Sequence, residues 1–359
     1  MVAASPRSPV VRELGPPGPE TLAFERRLRR VMRPLAASWR MTPRGVLWLQ
    51  RISEPRGRRI RTKEGSQVDV TAIGGVPVEW VRGPRAIARR TDDEPVLLYL
   101  HGGGYVFGSP RTHRVLTSQL SDALGIPVLV PDYRLPPVAT LPAPIEDALV
   151  VYRALLERVA PERIVVAGDS AGGNLAHGLL LHAAEAGLPM PAGLVLLSPW
   201  SDLTMSGPSV RANDGIDPFI PEIALWRCAR VACAGLDAAD WRCSPLFGPD
   251  ALQARLPPTL VQAGSTEVLR DDARRVADAL ARNGVPVELQ LFAHVPHVPP
   301  MWGNLPEGRD ATRRVGAFLA DVLPEGAAHR PDRRDAAAAT SDETTTADGL
   351  EPESAGATT

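Results

Sequence analysis

A serine, a carboxylate and a histidine, far apart in this 359-residue chain, are the residue types that together perform nucleophilic catalysis. Ser170 stands in Gly168-Asp-Ser-Ala-Gly172, between two glycines. A serine hydroxyl is a weak nucleophile until a base takes its proton. Histidine, with a reference pKa of about 6.5, suits that task. A carboxylate must then orient the imidazole and stabilise its cation. Downstream of Ser170 the chain offers Glu267 and then His297 for these roles. His294 competes as base, but His297 lies deeper in its loop, within Val295-Pro-His-Val-Pro299. Asp271 and Asp272 compete as acid. Glu267 is nearer the end of the preceding strand, and the two aspartates suit the negatively charged first turn of the next helix. His101 and His177 read as structural. Asp169 reads as a local hydrogen-bonding partner that holds the serine turn.

These residues need elements to hold them. The apolar run 164–167 reads as a buried strand, and Asn174, Leu175, His177 and Leu179–181 suit a helix after it. A serine at so sharp a strand-to-helix bend is strained and exposed. Gly168 and Gly172 flank it because a Cβ there would strike the neighbouring strand and helix. The N–H of Ala171 then faces the place where negative charge develops, at a helix N-terminus. A plain glycine-rich turn with Ser170 as N-cap is the blander reading. It leaves the rest of the chain unexplained.

Val96–Leu100 is a second apolar run, followed by His101-Gly-Gly-Gly-Tyr-Val-Phe-Gly-Ser109. Successive glycines let backbone N–H groups converge on one point. The loop lacks the Lys-Ser/Thr of a P-loop and the spacing of G-x-G-x-x-G, so nucleotide binding is not expected. Strands at 127–134, with a polar exit, and at 193–199, 259–264 and 287–292 alternate with helices at 112–124, 145–159, 271–283 and 313–322. A hairpin over 68–81, turning at Gly74-Gly75, belongs at a sheet edge. The pattern predicts an α/β protein with a mostly parallel sheet covered on both faces. His101–Gly104, Ser170, Glu267 and His297 all follow predicted strands, where such sheets bind ligands.

Composition removes other classes. A net charge of −1 gives no sign of nucleic-acid binding. Cys228, Cys233 and Cys243 form no C-x-x-C pair, against a disulfide framework or a zinc site and in favour of reduced intracellular thiols. No signal-peptide core and no run of about 18 apolar residues occurs, so a cytoplasmic protein without an integral membrane segment is expected. Residues 1–19 and 325–359 read as disordered tails. A helical segment over 20–55 carries Leu22, Phe24, Leu28, Val31, Met32, Leu35 and Trp39 roughly on one face. A second helix over 43–52 carries Leu47, Trp48 and Leu49. With an insertion at about 205–240, these are expected to cap a cleft in the domain 56–324. The rival reading is a basic amphipathic helix on a membrane surface.

Taken together, His101-Gly-Gly-Gly104 and Gly168-Asp-Ser-Ala-Gly-Gly-Asn174 resemble the hormone-sensitive-lipase-like branch of α/β-hydrolases, the bacterial family IV carboxylesterases. Asp132-Tyr-Arg-Leu135 and Ser198-Pro-Trp-Ser-Asp-Leu203 are similar to further family segments, and the likeness runs over 68–323. The resemblance implies Ser170 as nucleophile, His297 as base and an oxyanion hole from the N–H groups of Gly103, Gly104 and Ala171. It also implies hydrolysis of short-to-medium acyl esters through an acyl-enzyme, with no metal or organic cofactor. The family usually places aspartate, in D-P-L, where this chain has Glu267-Val-Leu269, which keeps Asp271 open as the acid. An amidase or deacylase with the same triad, or a non-catalytic receptor on this fold, are the alternatives. A homodimer built on an edge strand and the closing helix also stays open.

Overall fold

The computed structural model describes residues 7–59, 62–91 and 93–329. At its centre is one nine-stranded sheet. In chain order its strands are β1 (Val10–Leu14), β2 (Gln67–Ile73), β3 (Val76–Arg82), β4 (Val96–Leu100), β5 (Val128–Pro131), β6 (Ile164–Asp169), β7 (Gly193–Leu197), β8 (Thr259–Gly264) and β9 (Val287–Phe292). Their spatial order is β1-β9-β8-β7-β6-β4-β5-β3-β2. All neighbours from β1 to β5 run parallel; β3 and β2 join antiparallel as the edge hairpin.

Eleven helices accompany the sheet among the described residues: α1 (Pro19–Ser38), α2 (Pro43–Arg59), α3 (Pro84–Ala88), α4 (Arg114–Leu124), α5 (Ala143–Leu156), α6 (Ala171–Glu185), α7 (Ser209–Ala212), α8 (Glu222–Ala232), α9 (Asp250–Gln253), α10 (Arg270–Arg282) and α11 (Pro306–Val322). Side chains alternate across each strand. Leu98, Leu100, Val166 and Leu196 therefore pack on one face with Ile145, Leu175, Leu179 and Val276 from α5, α6 and α10. Leu97, Tyr99, Val165 and Val195 pack on the other with Leu116, Leu120, Val315 and Leu319 from α4 and α11. Both faces are covered, which is why β4 and β6 read as unbroken apolar runs.

The N-terminal segment departs from expectation. Val10–Leu14 is not disordered: it pairs in parallel with β9, and Arg12 Nε donates to Glu288 Oε1 at 2.8 Å. A five-residue run hidden among prolines is a weak sequence signal, but an open strand edge supplies hydrogen-bonding partners that no local pattern announces. At the other end, 325–329 fold back on α4, with the His329 N–H donating to Leu124 O at 2.8 Å. Residues 1–6 and 330–359 lie outside the described residues.

α1, α2 and the α7–α8 insertion form a helical layer over the strand ends. Arg33 of α1 donates to the carbonyls of Asp217 and Ile220 and pairs with Asp214 at 3.0 Å. Arg227 of α8 donates to the carbonyls of Ala37 and Trp39. Gln50 of α2 donates to the carbonyls of Val106 and Pro136, joining the layer to the glycine loop. Two details of the sequence reading change. α2 runs past 52 to Arg59. Of the apolar residues singled out in these two helices, Leu28 is buried, whereas Val31, Met32, Leu35, Leu47 and Trp48 are exposed; in α2 it is Val46, outside that set, that is buried.

Candidate active site

Ser170 joins β6 to α6 with φ +55° and ψ −120°, a strained backbone for a residue with a Cβ. The flanking glycines are sterically required. A Cβ on Gly168 would lie 2.1 Å from the Gly172 carbonyl oxygen, and one on Gly172 would lie 2.1 Å from the Leu100 carbonyl oxygen. The Ser170 N–H donates to Leu197 O at 2.9 Å, and its carbonyl accepts the Trp200 N–H at 3.0 Å. Asn174, one turn along α6, bonds the carbonyls of Trp200 and Cys243 through Nδ2 and accepts the Tyr105 hydroxyl at 2.7 Å. One buried amide thus ties the serine turn to the glycine loop and to the segment after β7.

The glycine loop leaves β4 with Gly103 at φ +123° and Gly104 at φ +61°. A Cβ on Gly103 would sit 2.1 Å from the Phe107 carbonyl oxygen, so no other residue fits this path. The Gly103 carbonyl accepts the Val106 and Phe107 N–H groups, and no described residue accepts from the N–H of Gly103 or Gly104. Ala171 opens α6, where a first-turn N–H has no acceptor within the helix. Asp169 anchors the loop from beneath: Oδ1 accepts the Gly102 N–H at 2.9 Å and the Tyr99 hydroxyl at 2.7 Å, and Oδ2 lies 3.5 Å from His113 Nε2. The local role expected of Asp169 therefore extends across β4. His101 is buried and stacked on Tyr133, with ring centroids 4.3 Å apart. Burial, helped by the charge of His113, lowers its pKa to about 3. It is a neutral packing group.

On the opposite side of β6, Glu267 follows β8 and His297 follows β9. His297 Nδ1 lies 2.6 Å from Glu267 Oε2. The other carboxylate oxygen accepts the Ser198 hydroxyl at 2.7 Å and the Gly264 N–H. Ser198 in turn accepts the Val298 N–H at 2.9 Å, so one hydroxyl joins the acid to the histidine loop. Burial pulls the His297 imidazole down, but the charge and hydrogen bond of Glu267 outweigh it and hold its pKa above the ordinary value. Nε2 is buried with no hydrogen-bond partner among the described residues. Ser170 and His297 are thus held through consecutive residues, Leu197 and Ser198.

The competing candidates have other partners. Asp271 accepts the Ser209 N–H at 2.8 Å and pairs with Arg270. Asp272 accepts the N–H groups of Ser201 and Asp202. These aspartates anchor neighbouring loops as well as lying in the first turn of α10. His294 is half exposed, 3.4 Å from Glu25. His177 is buried in α6 and bonded to Gln253.

Several participants carry no motif of their own. Phe219 from the insertion stacks over His297 at 6.2 Å between ring centroids, and Trp302 Nε1 donates to the His297 carbonyl at 2.9 Å. Asn213 donates to the Glu267 carbonyl. Asp217 accepts the Val268 N–H, and its pKa rises to about 6 through burial and the nearby Glu267 charge. Only Ser198, within Ser-Pro-Trp-Ser-Asp-Leu, was signalled in the sequence.

Comparison with known proteins agrees with this fold. A family model described as alpha/beta hydrolase fold matches residues 97–300. An acetyl-hydrolase of Streptomyces hygroscopicus is 40% identical over 290 residues, 78% of this chain and 94% of that protein. An esterase of Acinetobacter venetianus is 34% identical over 259 residues, 70% of this chain and 82% of that one. The crystal structure of an esterase from the bacterial hormone-sensitive lipase family superposes with a TM-score of 0.76 at 37% identity, covering 86% of this chain and all of the other. With its parallel sheet, serine turn and glycine loop, the chain belongs to the α/β-hydrolase superfamily and, within it, to the hormone-sensitive-lipase-like family IV esterases.

Proposed function

We propose that this enzyme hydrolyses carboxylic esters with short-to-medium acyl groups, with Ser170 as nucleophile, His297 as base and Glu267 as the carboxylate that orients it. The chain is a carboxylic ester hydrolase, as its esterase relatives are. The observation that carries the residue assignment is the 2.6 Å contact between Glu267 and a buried imidazole whose other nitrogen is unpartnered. Nε2 takes the Ser170 proton as Oγ attacks the ester carbonyl. The N–H groups of Gly103, Gly104 and Ala171 receive the oxyanion, and each such donor is worth roughly 10²–10³ in turnover. The imidazolium, stabilised by Glu267, protonates the leaving alcohol. Water then repeats the sequence on the acyl-enzyme. The helical layer of α1, α2 and α7–α8 serves as a cap, bringing Phe219 over the base.

A fluorophosphonate probe tests the nucleophile: stoichiometric labelling at Ser170, blocked by a short-chain ester, is expected. Labelling elsewhere, or none on the folded protein, removes the assignment. A series of p-nitrophenyl esters of rising acyl length tests the substrate class, with kcat/KM expected to peak at short-to-medium chains.

A further inference from the structure

The cap has an outer side that the proposed hydrolysis does not use. From Glu20 to Arg51 the chain holds eight arginines and two glutamates, a net of +6 in a protein whose total is −1. Six of those arginines are exposed, against one exposed acid, Glu20. Arg26, Arg27 and Arg30 lie on one side of α1 and pair with no acid among the described residues. Cationic density of this kind draws a protein to an anionic surface.

Large apolar side chains stand exposed among these charges. Val31 is 59% exposed and Leu35 51%, beyond the point where α1 buries Leu28. Trp48 of α2 is 55% exposed and packs against Trp39 at 5.0 Å between ring centroids. α8 repeats the pattern, with Ile223, Trp226 and Arg230 exposed at the spacing of one helical face. Arg227 joins α8 to the end of α1, so these faces belong to one layer.

Arginine, tryptophan and aliphatic side chains on one face are the composition that lies in a bilayer interface. The guanidinium groups meet lipid phosphates, the indoles sit at headgroup depth, and the aliphatic tips enter the acyl boundary. No described helix is long and apolar enough to cross a membrane, so attachment here is peripheral. We propose that the outer face of α1, α2 and α8 docks the enzyme on membranes that carry anionic lipid. The excess of unpaired arginine favours this occupant over a second copy of the chain, which would bring the same positive charge to the contact.

Flotation of the full-length protein with vesicles tests this. Phosphatidylcholine vesicles with about one-third phosphatidylglycerol should carry the protein at low salt, and pure phosphatidylcholine vesicles should carry far less. Raising the salt should release it. The triple variant Arg26→Glu, Arg27→Glu, Arg30→Glu should lower the partition coefficient roughly a hundredfold or more. Trp48→Ala should lower it several-fold. Both variants should keep the wild-type rate on a soluble short-chain ester, which also shows that they fold. Equal flotation with both lipid mixtures, or wild-type flotation of the triple variant, overturns the proposal. So does a salt-stable dimer in sedimentation that Trp48→Ala dissolves, which would assign the face to a second copy.

Discussion

Two buried carboxylate–histidine pairs, one at the end of β6 and one in the loops after β8 and β9, differ in what they leave free. In Glu267–His297 the contact is 2.6 Å, both carboxylate oxygens are engaged, and the far imidazole nitrogen has no partner. In Asp169–His113 the contact is 3.5 Å, and the far nitrogen of His113 faces the Ser109 carbonyl and the Thr112 hydroxyl. Like residues in like burial thus take different parts. A histidine with one nitrogen held and one free can move a proton, whereas one engaged at both ends is a strut. Asp169 adds a second strut through Gly102, supporting the loop in which Gly103 and Gly104 lie.

Mutation can break this contrast, and the largest losses should come from the Glu267–His297 side. Ser170→Ala and His297→Ala should each lower kcat by about 10⁶ with the fold kept, as read by circular dichroism and steady-state kinetics. Glu267→Gln should cost about 10⁴, since it holds the imidazole less well and no longer stabilises its cation. An equal loss from Asp271→Asn would transfer the acid role.

The pH profile sharpens the same point. The proposed base works in its neutral form, and the His297 pKa is held above the ordinary value, so kcat/KM should fall with falling pH along a limb displaced above about 6.5. In Glu267→Gln that limb should move to lower pH, because burial then acts without the opposing charge.

On the Asp169–His113 side the effect should be on stability. His113→Leu leaves Asp169 buried without its cation and should cost about 3–5 kcal/mol in urea unfolding. Burial alone would lower the His113 pKa, but Asp169 raises it above its ordinary value. Its contribution is therefore complete below the unfolded pKa near 6.5 and is lost as pH rises through the folded value. Burial alone would raise the Asp169 pKa, but His113 and Tyr99 lower it. Its contribution holds above about pH 3.9 and is lost as pH falls through the depressed value. The difference between wild type and His113→Leu should accordingly shrink at both ends of a pH series. Smallest of all, His294→Ala should change kcat/KM less than about twofold, as expected of a half-exposed side chain away from Glu267.

The chain's own pattern determined what was local. Consecutive buried residues in β4 and β6 announced parallel strands, and Gly168 and Gly172 announced close backbone approaches, because strand periodicity and the missing Cβ are written at neighbouring positions. The order of serine, acid and histidine narrowed the site to a few side chains. Distance in the folded molecule decided the rest. It set Glu267 against His297 and Asp271 against Ser209, and it enlisted Ser198 to join two loops. It also gave Val10–Leu14 a strand to pair with and turned Trp48 outward. Each of these depends on which segments become neighbours when the sheet assembles, and contacts between residues tens to hundreds of positions apart leave no periodic mark along the chain.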